Sequence, residues 1–190
     1  MIKLAVDAMG GDLGSSIVVQ AVLNYLKTNN DVEFHVVGKL EELKLLEGKA
    51  ILYDAKDVMG MEDGALTILR KKETSMNKAV ELVANGTCDG IVSCGSTGAF
   101  LTLSTLKVKL IPNVKRAALG TLFPTIDPDK FVFMLDLGAN NENNGEQIAQ
   151  FAEMGHIKVF LIKKMSLFIC YPMDRKIKRD VLKEKKHFKF

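Results

Sequence analysis

The stretch Ile2-Lys3-Leu4-Ala5-Val6-Asp7-Ala8-Met9-Gly10-Gly11-Asp12 decides the fold class of this 190-residue chain. Its apolar run, Ile2–Val6, is typical of a buried strand, and it leads through Asp7 into a loop that contains a glycine pair. The next apolar positions recur with helical spacing, and Ser15 or Ser16 is predicted to cap that helix. A buried strand, a glycine loop and an amphipathic helix in this order are typical of an α/β fold.

The alternation of strands and helices continues along the chain. Further strands are predicted at 32–37, 50–53, 90–93, 116–123 and 131–135, and helices at 40–46, 76–83, 99–106 and 146–154. Residues 54–74 are polar and are predicted to form a loop. Because strands that alternate with helices usually form parallel sheets with right-handed crossovers, the sequence predicts a doubly wound, mainly parallel sheet in a Rossmann-like, three-layer α/β fold.

Charge divides the chain into two parts. The composition, 47% hydrophobic and 26% charged, is ordinary for a globular protein. However, 11 of the 26 Lys and Arg residues and only 3 of the 23 Asp and Glu residues lie in 156–190. We therefore distinguish an α/β domain, residues 1–155, from a basic tail, residues 156–190. The tail is interpreted as a solvated charge run or the product of an altered reading frame, and an anionic partner such as a membrane surface is the alternative.

The sequence also bears on compartment and cofactors. It has no stretch typical of a signal peptide, and its longest apolar runs, 131–135 and 159–162, are too short to span a bilayer. The cysteines, Cys88, Cys94 and Cys170, are odd in number and lack metal-ligand spacing. We therefore predict a soluble, cytoplasmic protein with reduced thiols that uses neither a metal nor another cofactor.

Three predicted strands end in an acidic or hydroxyl residue followed by a glycine turn. These strand ends are Asp7–Asp12, Ser93–Gly98 and Asp136–Asn140. Ligands of open α/β sheets bind outside the carboxyl ends of the strands, where glycines let backbone N–H groups approach an anion. None of the three loops matches a nucleotide-binding fingerprint. The pattern therefore predicts a phosphate or carboxylate pocket at this edge of the sheet.

These motifs resemble, in order, those of the bacterial phosphate acyltransferase family, the acyl carrier protein:phosphate transacylases of phospholipid synthesis. Val6–Asp12 resembles the family's N-terminal signature, and Lys71–Met76 resembles its second motif. Val92–Ala99 resembles the family's Val-Ser-Ala-Gly-Asn-Thr-Gly-Ala, with Cys94 and Ser96 in place of Ala and Asn. The stretches 111–116, 136–140 and 151–155 follow in the family's order, so the resemblance covers about residues 1–155. After Gly155 the family pattern stops, which is expected of a truncated or frameshifted reading frame.

The resemblance implies transfer of a fatty acyl group from acyl-acyl carrier protein to inorganic phosphate, which forms acyl phosphate. It also implies a homodimer, with acyl carrier protein and phosphate as partners and no nucleic acid. Phosphate is already anionic, so the site must mainly align it with the thioester and provide donors for the developing oxyanion. Apolar residues among the lysines of the tail suggest the further hypothesis of peripheral membrane association.

The candidate site residues follow from the loops and the resemblance together. Those predicted to be catalytic are Asp7, Ser93, Thr97 and Asn140. Those predicted to bind phosphate are Gly10, Gly11, Asp12, Lys71, Lys72, Gly95, Ser96 and Gly98. Each has a plainer alternative: the lysine pair as a solvated loop, Asp12 as a helix cap, and Asn140 as a turn residue. Cys94 is predicted to be a small buried thiol rather than a nucleophile, and His35 to be structural.

Two other functional readings remain open at this point. One is a related phosphate-binding α/β enzyme, such as a phosphate acetyltransferase or a decarboxylating dehydrogenase. The other is a truncated fragment that keeps the family's motifs without its activity.

Overall fold

The computed structural model describes residues 1–61, 63, 65–138, 140 and 142–162. The chain forms two compact units, which divide between Lys109 and Leu110.

The first unit is built on a four-stranded parallel sheet. Its strands are β1 (Ile2–Asp7), β2 (Val32–Gly38), β3 (Ile51–Asp54) and β4 (Gly90–Ser93), in the spatial order β3-β2-β1-β4. The pairings of β1 with β2, of β1 with β4 and of β2 with β3 are all parallel. The strand order reverses after β3, so β1 and β4 lie side by side.

Helices cover this sheet on both faces. They are α1 (Ser15–Leu26), α2 (Leu40–Leu43) with a 3-10 turn (Lys44–Leu46), α3 (Ala65–Arg70), α4 (Ser75–Ala84) and α5 (Thr97–Leu103), which continues as a π-helical turn (Ser104–Val108).

Successive residues of each central strand belong to different cores, as the two-residue period of a strand requires. Val6 and Val36 pack with Val19 of α1, whereas Ala5 packs with Ala79 of α4. The predicted three-layer, doubly wound α/β fold is therefore confirmed.

Two local predictions in this unit were wrong. The segment 54–74, predicted to be a loop, contains α3, because apolar residues such as Ile68 pack into a core with Met76 and Leu103. Neither Ser15 nor Ser16 caps α1: the cap is Gly14, which has a φ of 68°. Ser15 is the first helical residue, and its hydroxyl donates a hydrogen bond to Glu42 instead.

The described residues of the second unit form an antiparallel pair of strands and one helix. The strands are β5 (Gly120–Pro124) and β6 (Phe131–Leu135), and the helix is α6 (Gly145–Ile162). The pair is antiparallel because residues 125–130 are too few for the crossover that parallel neighbours need. The predicted strand 116–123 began too early, since Arg116 and Ala117 instead form hydrogen bonds with the Asn140 side chain.

In the part of the chain that the structure describes, no helix is both long and apolar enough to cross a membrane. Most of the predicted basic tail, from residue 163 onward and including Cys170, lies outside the described residues. The predictions about the tail therefore remain predictions.

Candidate anion-binding site at the glycine loops

The fold brings together the two predicted glycine loops of the first unit. Asp7 ends β1 and Ser93 ends β4, and these two residues are direct partners in the parallel pairing. The loops that follow touch through their backbones: a Cβ added to Gly10 would lie 2.9 Å from both Cα and N of Gly95. Only residues without a side chain allow this approach, which explains the glycines at both positions.

A short chain of hydrogen bonds joins the two loops. The Ser93 hydroxyl donates to Oδ2 of Asp7 at 2.6 Å, and the backbone N–H of Met9 donates to Oδ1 at 3.2 Å. The backbone N–H of Gly95 in turn donates to Oγ of Ser93 at 3.1 Å. Asp7 is only 1% exposed, so these bonds satisfy a buried carboxylate. The Asp7–Ser93 pair therefore clamps one loop to the other.

Several groups of these loops are unpaired or exposed. Among the described residues, the backbone N–H groups of Gly10 and Gly11 have no acceptor; Gly10 is buried, whereas Gly11 is half-buried. Asp12, Thr97 and Gly98 are exposed. Free N–H groups on a glycine turn are suited to an anion, because they bring partial positive charge without a bulky side chain.

Ser96 has a structural role in the second loop. It is the N-cap of α5 and is buried, and its Oγ accepts a hydrogen bond from the N–H of Ala99 at 3.4 Å. Asn, which the resembling family carries here, is also a favourable N-cap residue. Capping is therefore a function that both side chains can perform, whereas direct phosphate binding by Ser96 remains a prediction.

The second motif, Lys71–Met76, supports the glycine loops from inside the unit. Met76 is fully buried, and a Cβ added to Gly95 would lie 2.7 Å from its Cε. Thr74 and Ser75 are fully buried as well. The motif thus provides packing beneath Gly95, a role that the sequence pattern did not indicate.

The two lysines of this motif have different surroundings. Nζ of Lys71 lies 2.9 Å from Oδ2 of Asp63. The hydrogen bond from Lys71, followed by that from the N–H of Gly60, holds the pKa of Asp63 below its ordinary value. The same bond raises the pKa of Lys71. Lys72 is exposed and borders a surface hollow of about 300 Å³ between α4 and α5, beside Leu103. Phosphate binding by either lysine remains a prediction.

Asn140 belongs to the second unit, where its side chain closes a turn. Its amide donates to Oδ1 of Asp136 at 2.9 Å and to the carbonyl of Ala117 at 3.0 Å. Nε of Arg116 donates to its Oδ1 at 2.7 Å. Asp136 has a φ of 60°, a conformation that such side-chain bonds help to hold. These contacts favour the turn role for Asn140, and its catalytic role stays a prediction.

One prediction about the thiols was wrong. Cys94 is exposed, not buried, because it lies on the loop surface, where its Cβ would be 3.3 Å from a Cβ added to Gly11. Cys88 is buried, and desolvation raises its pKa. His35 is buried between Tyr53 and Glu33, to both of which it is hydrogen-bonded, which confirms its structural role.

Comparison with known proteins places these motifs in a family. Residues 2–159 match the family model described as "Fatty acid synthesis protein". The phosphate acyltransferase of Ruegeria sp. (strain TM1040) is 41% identical over 160 residues, which are 80% of this chain and 43% of that relative. The phosphate acyltransferase of Aliarcobacter butzleri is 36% identical over 162 residues, 83% of this chain and 48% of the relative. The chain thus spans about half the length of the curated relatives that it matches.

Solved structures share the fold. A branched-chain phosphotransacylase from Enterococcus faecalis V583 superimposes with a TM-score of 0.57 and 17% identity, over 86% of this chain and 52% of that one. A phosphotransacetylase from Streptococcus pyogenes superimposes with a TM-score of 0.55 and 19% identity, over 80% and 51% of the two chains.

Proposed function

The chain belongs to the family described as fatty acid synthesis proteins, and on this premise we propose that it serves in acyl transfer to inorganic phosphate. The acyl donor is acyl-acyl carrier protein, and the products are acyl phosphate and the free carrier thiol. The observation that carries the proposal is the close approach of the Gly10 and Gly95 loops, which the Asp7–Ser93 hydrogen bond clamps together.

Attack of phosphate on the thioester mainly requires that the two reactants be correctly positioned. An oxygen of phosphate attacks the thioester carbon, the C–S bond breaks, and the sulfur leaves as a thiolate that takes up a proton. The free N–H group of the half-buried Gly11, with the exposed Thr97, holds the phosphate. Alignment of the reactants supplies much of the rate acceleration in such reactions, and donors to the developing oxyanion supply most of the rest.

A second candidate function is phosphate binding without acyl transfer. It is favoured by the unpaired N–H group of Gly11, which can bind an anion whether or not an acyl donor is bound. Acetyl transfer in the manner of a phosphotransacetylase is a weaker alternative. It rests on fold likeness alone.

We place this reaction in the cytoplasm. The two cysteines that the structure describes are free, which suits a reducing compartment. A homodimer and peripheral contact with the membrane belong to the same proposal. The family membership supports the homodimer, and the apolar residues among the lysines of the basic tail support the membrane contact. Light scattering of the purified chain would test the dimer, and co-sedimentation with vesicles of anionic lipid would test the membrane contact.

The direct test is release of free thiol from palmitoyl-acyl carrier protein by the purified chain. We expect release that depends on added inorganic phosphate and is absent with acetyl coenzyme A as the donor. Release that is equal with and without phosphate would contradict the proposal. A folded chain that binds phosphate but releases no thiol would establish the second candidate instead.

A further inference from the structure

We propose that the Asp7–Ser93 pair makes this site selective for an oxyanion that still carries a proton, such as hydrogen phosphate or hydrogen arsenate, and makes it reject sulfate. The inference rests on the proposed function, because it assigns the specificity of the same site.

The first step is the direction of the Ser93 hydroxyl. A serine hydroxyl has one hydrogen to donate and two lone pairs to accept. The hydrogen is committed to Oδ2 of Asp7 at 2.6 Å, and one lone pair accepts the N–H of Gly95 at 3.1 Å. The remaining lone pair of Oγ can only accept. Ser93, which is half-buried, therefore presents an acceptor to any ligand that lies against its Oγ.

The second step is that this direction is fixed. Asp7 is 1% exposed, and Oδ2 has only the Ser93 hydroxyl as its hydrogen-bond donor among the described residues. If the hydroxyl turned toward a ligand, Oδ2 would be left buried without that donor. Buried carboxylate oxygens are costly to leave unpaired, so the hydroxyl stays on Asp7.

The third step is charge. Oδ2 of Asp7 would lie only 2.6 Å from a Cβ added to Gly10, so the carboxylate is directly beside the Gly10 loop. A nearby like charge disfavours the ionised form of a group relative to its protonated form. The carboxylate therefore acts in the same direction as the Ser93 lone pair, since both favour a protonated oxygen at this position.

The Ser93 lone pair and the Asp7 carboxylate together discriminate between hydrogen phosphate and sulfate, which are similar in size. Hydrogen phosphate has a P–O–H group at neutral pH, which can donate to Oγ of Ser93. Sulfate has no proton at this pH, and it would place an acceptor oxygen against an acceptor. We therefore expect phosphate and arsenate to bind while sulfate is excluded.

Competition against radiolabelled inorganic phosphate in equilibrium dialysis tests this selectivity without acyl transfer. For the wild-type chain we expect unlabelled arsenate to displace phosphate at concentrations similar to unlabelled phosphate. Sulfate should need at least about tenfold more, a ratio in keeping with the loss of one hydrogen bond to a charged group.

The Asp7→Asn variant should abolish the preference for a protonated oxyanion. Its amide oxygen keeps the N–H of Met9, so its amide nitrogen faces Oγ of Ser93 and donates to it. The hydroxyl hydrogen is then free to point at the ligand, and sulfate should become at least as good a competitor as arsenate. The Ser93→Ala variant should keep only a weakened preference, because the Asp7 carboxylate remains beside Gly10.

Ser15→Ala is the matched control. Ser15 is also a buried serine that donates to a carboxylate, that of Glu42, and it lies outside the site. It should keep the wild-type preference. Circular dichroism would establish that each variant is folded, and if Asp7→Asn does not fold, the wild-type and Ser93→Ala competitions still decide the question.

The outcomes are distinct. Sulfate competing as well as arsenate for the wild-type site, or a preference unchanged in Ser93→Ala, would overturn the selectivity and leave the phosphate site standing. If the wild-type chain binds no labelled phosphate, the proposed function fails, and this inference fails with it.

Discussion

Gly10 is the residue at which the contact between the two loops is closest. The Gly10→Ala variant would place its methyl carbon 2.6 Å from Oδ2 of Asp7 and 2.9 Å from the backbone of Gly95, so a loop must move. We expect a loss of about 1–3 kcal/mol in the free energy of unfolding, the usual cost of overpacking. Urea unfolding followed by circular dichroism measures it.

Gly98→Ala is the matched control for this substitution. A Cβ at Gly98 would meet nothing within 4 Å, and the residue lies in α5, where alanine is the better helix former. Its stability should be unchanged or raised by up to about 1 kcal/mol. Equal stabilities of the two variants would show that the loops do not touch as described.

Cys94 provides a second prediction about a single residue. Because it is exposed beside Gly11, alkylation of its thiol should block the site, whereas Cys94→Ala should keep at least half of the phosphate-dependent activity. Cys88 should react much more slowly, since it is buried and its pKa is raised. Peptide mass spectrometry would locate the label. Loss of activity in Cys94→Ala would instead mean that the thiol takes part in the reaction.

Single residues also show what a sequence can predict about a site. That Asp7, Ser93 and the glycines after them lie together was predictable, because strand ends and glycine turns are local patterns. The direction of the Ser93 hydroxyl could not be predicted from the sequence, since its acceptor Asp7 is 86 positions away in the chain. The ion pair between Lys71 and Asp63 was missed because it depends on the path of a loop.

Among the helices, α5 depends on its cap. Ser96→Ala removes the acceptor for the N–H of Ala99 and should lower the free energy of unfolding by about 1 kcal/mol. Ser96→Asn should preserve stability, because both side chains cap well. Urea unfolding of the two variants makes the comparison. If both are equally destabilised, Ser96 contributes something other than a cap.

The stability that the Asp63–Lys71 ion pair contributes should depend on pH. The pKa of Asp63 is lower in the folded chain, so its ion pair with Lys71 stabilises above the unfolded carboxyl pKa of about 3.9 and is lost as pH falls through the folded value. Asp63→Asn should therefore be less stable than the wild type near pH 7, and the difference should shrink toward about pH 3. Urea midpoints across this range test it, and a constant difference would contradict it.

The same pair of residues separates two roles for Lys71. If Lys71 serves only to hold Asp63, then Lys71→Met and Asp63→Asn should have similar effects on phosphate binding. A much larger loss in Lys71→Met would favour the phosphate-binding role that the sequence predicted.

Helices and strands were predicted well where the hydrophobic periodicity of the sequence is strong. They were predicted poorly where contacts with distant residues determine the local structure. The parallel strands β1, β2 and β4 could be placed within a residue or two. The helix α3 was missed because polar neighbours hide its apolar residues. Asn140 could not be seen to bind Ala117 before the fold was known, so β5 was started too early.

For the chain as a whole, the division into two units has a testable consequence. All three hydrophobic cores of the first unit are formed by residues before Lys109. A chain that ends at Lys109 should therefore unfold cooperatively in urea, with α/β circular dichroism. A gradual transition without a midpoint would show that the first unit needs the second in order to fold.

The fold class was accessible from sequence because alternating strands and helices are a pattern of the entire chain. The length of the related proteins was not accessible from this sequence. The chain spans about half the length of the phosphate acyltransferases related to it. No local sequence pattern shows what the other half of those relatives contributes.

Equilibrium dialysis of radiolabelled phosphate against the wild type and Gly10→Ala is the most direct test that the paired glycine loops bind phosphate. We predict saturable binding to the wild type and at least about tenfold weaker binding to the variant, because the added methyl group separates the loops. Equal binding to the two proteins, both shown to be folded, would contradict it.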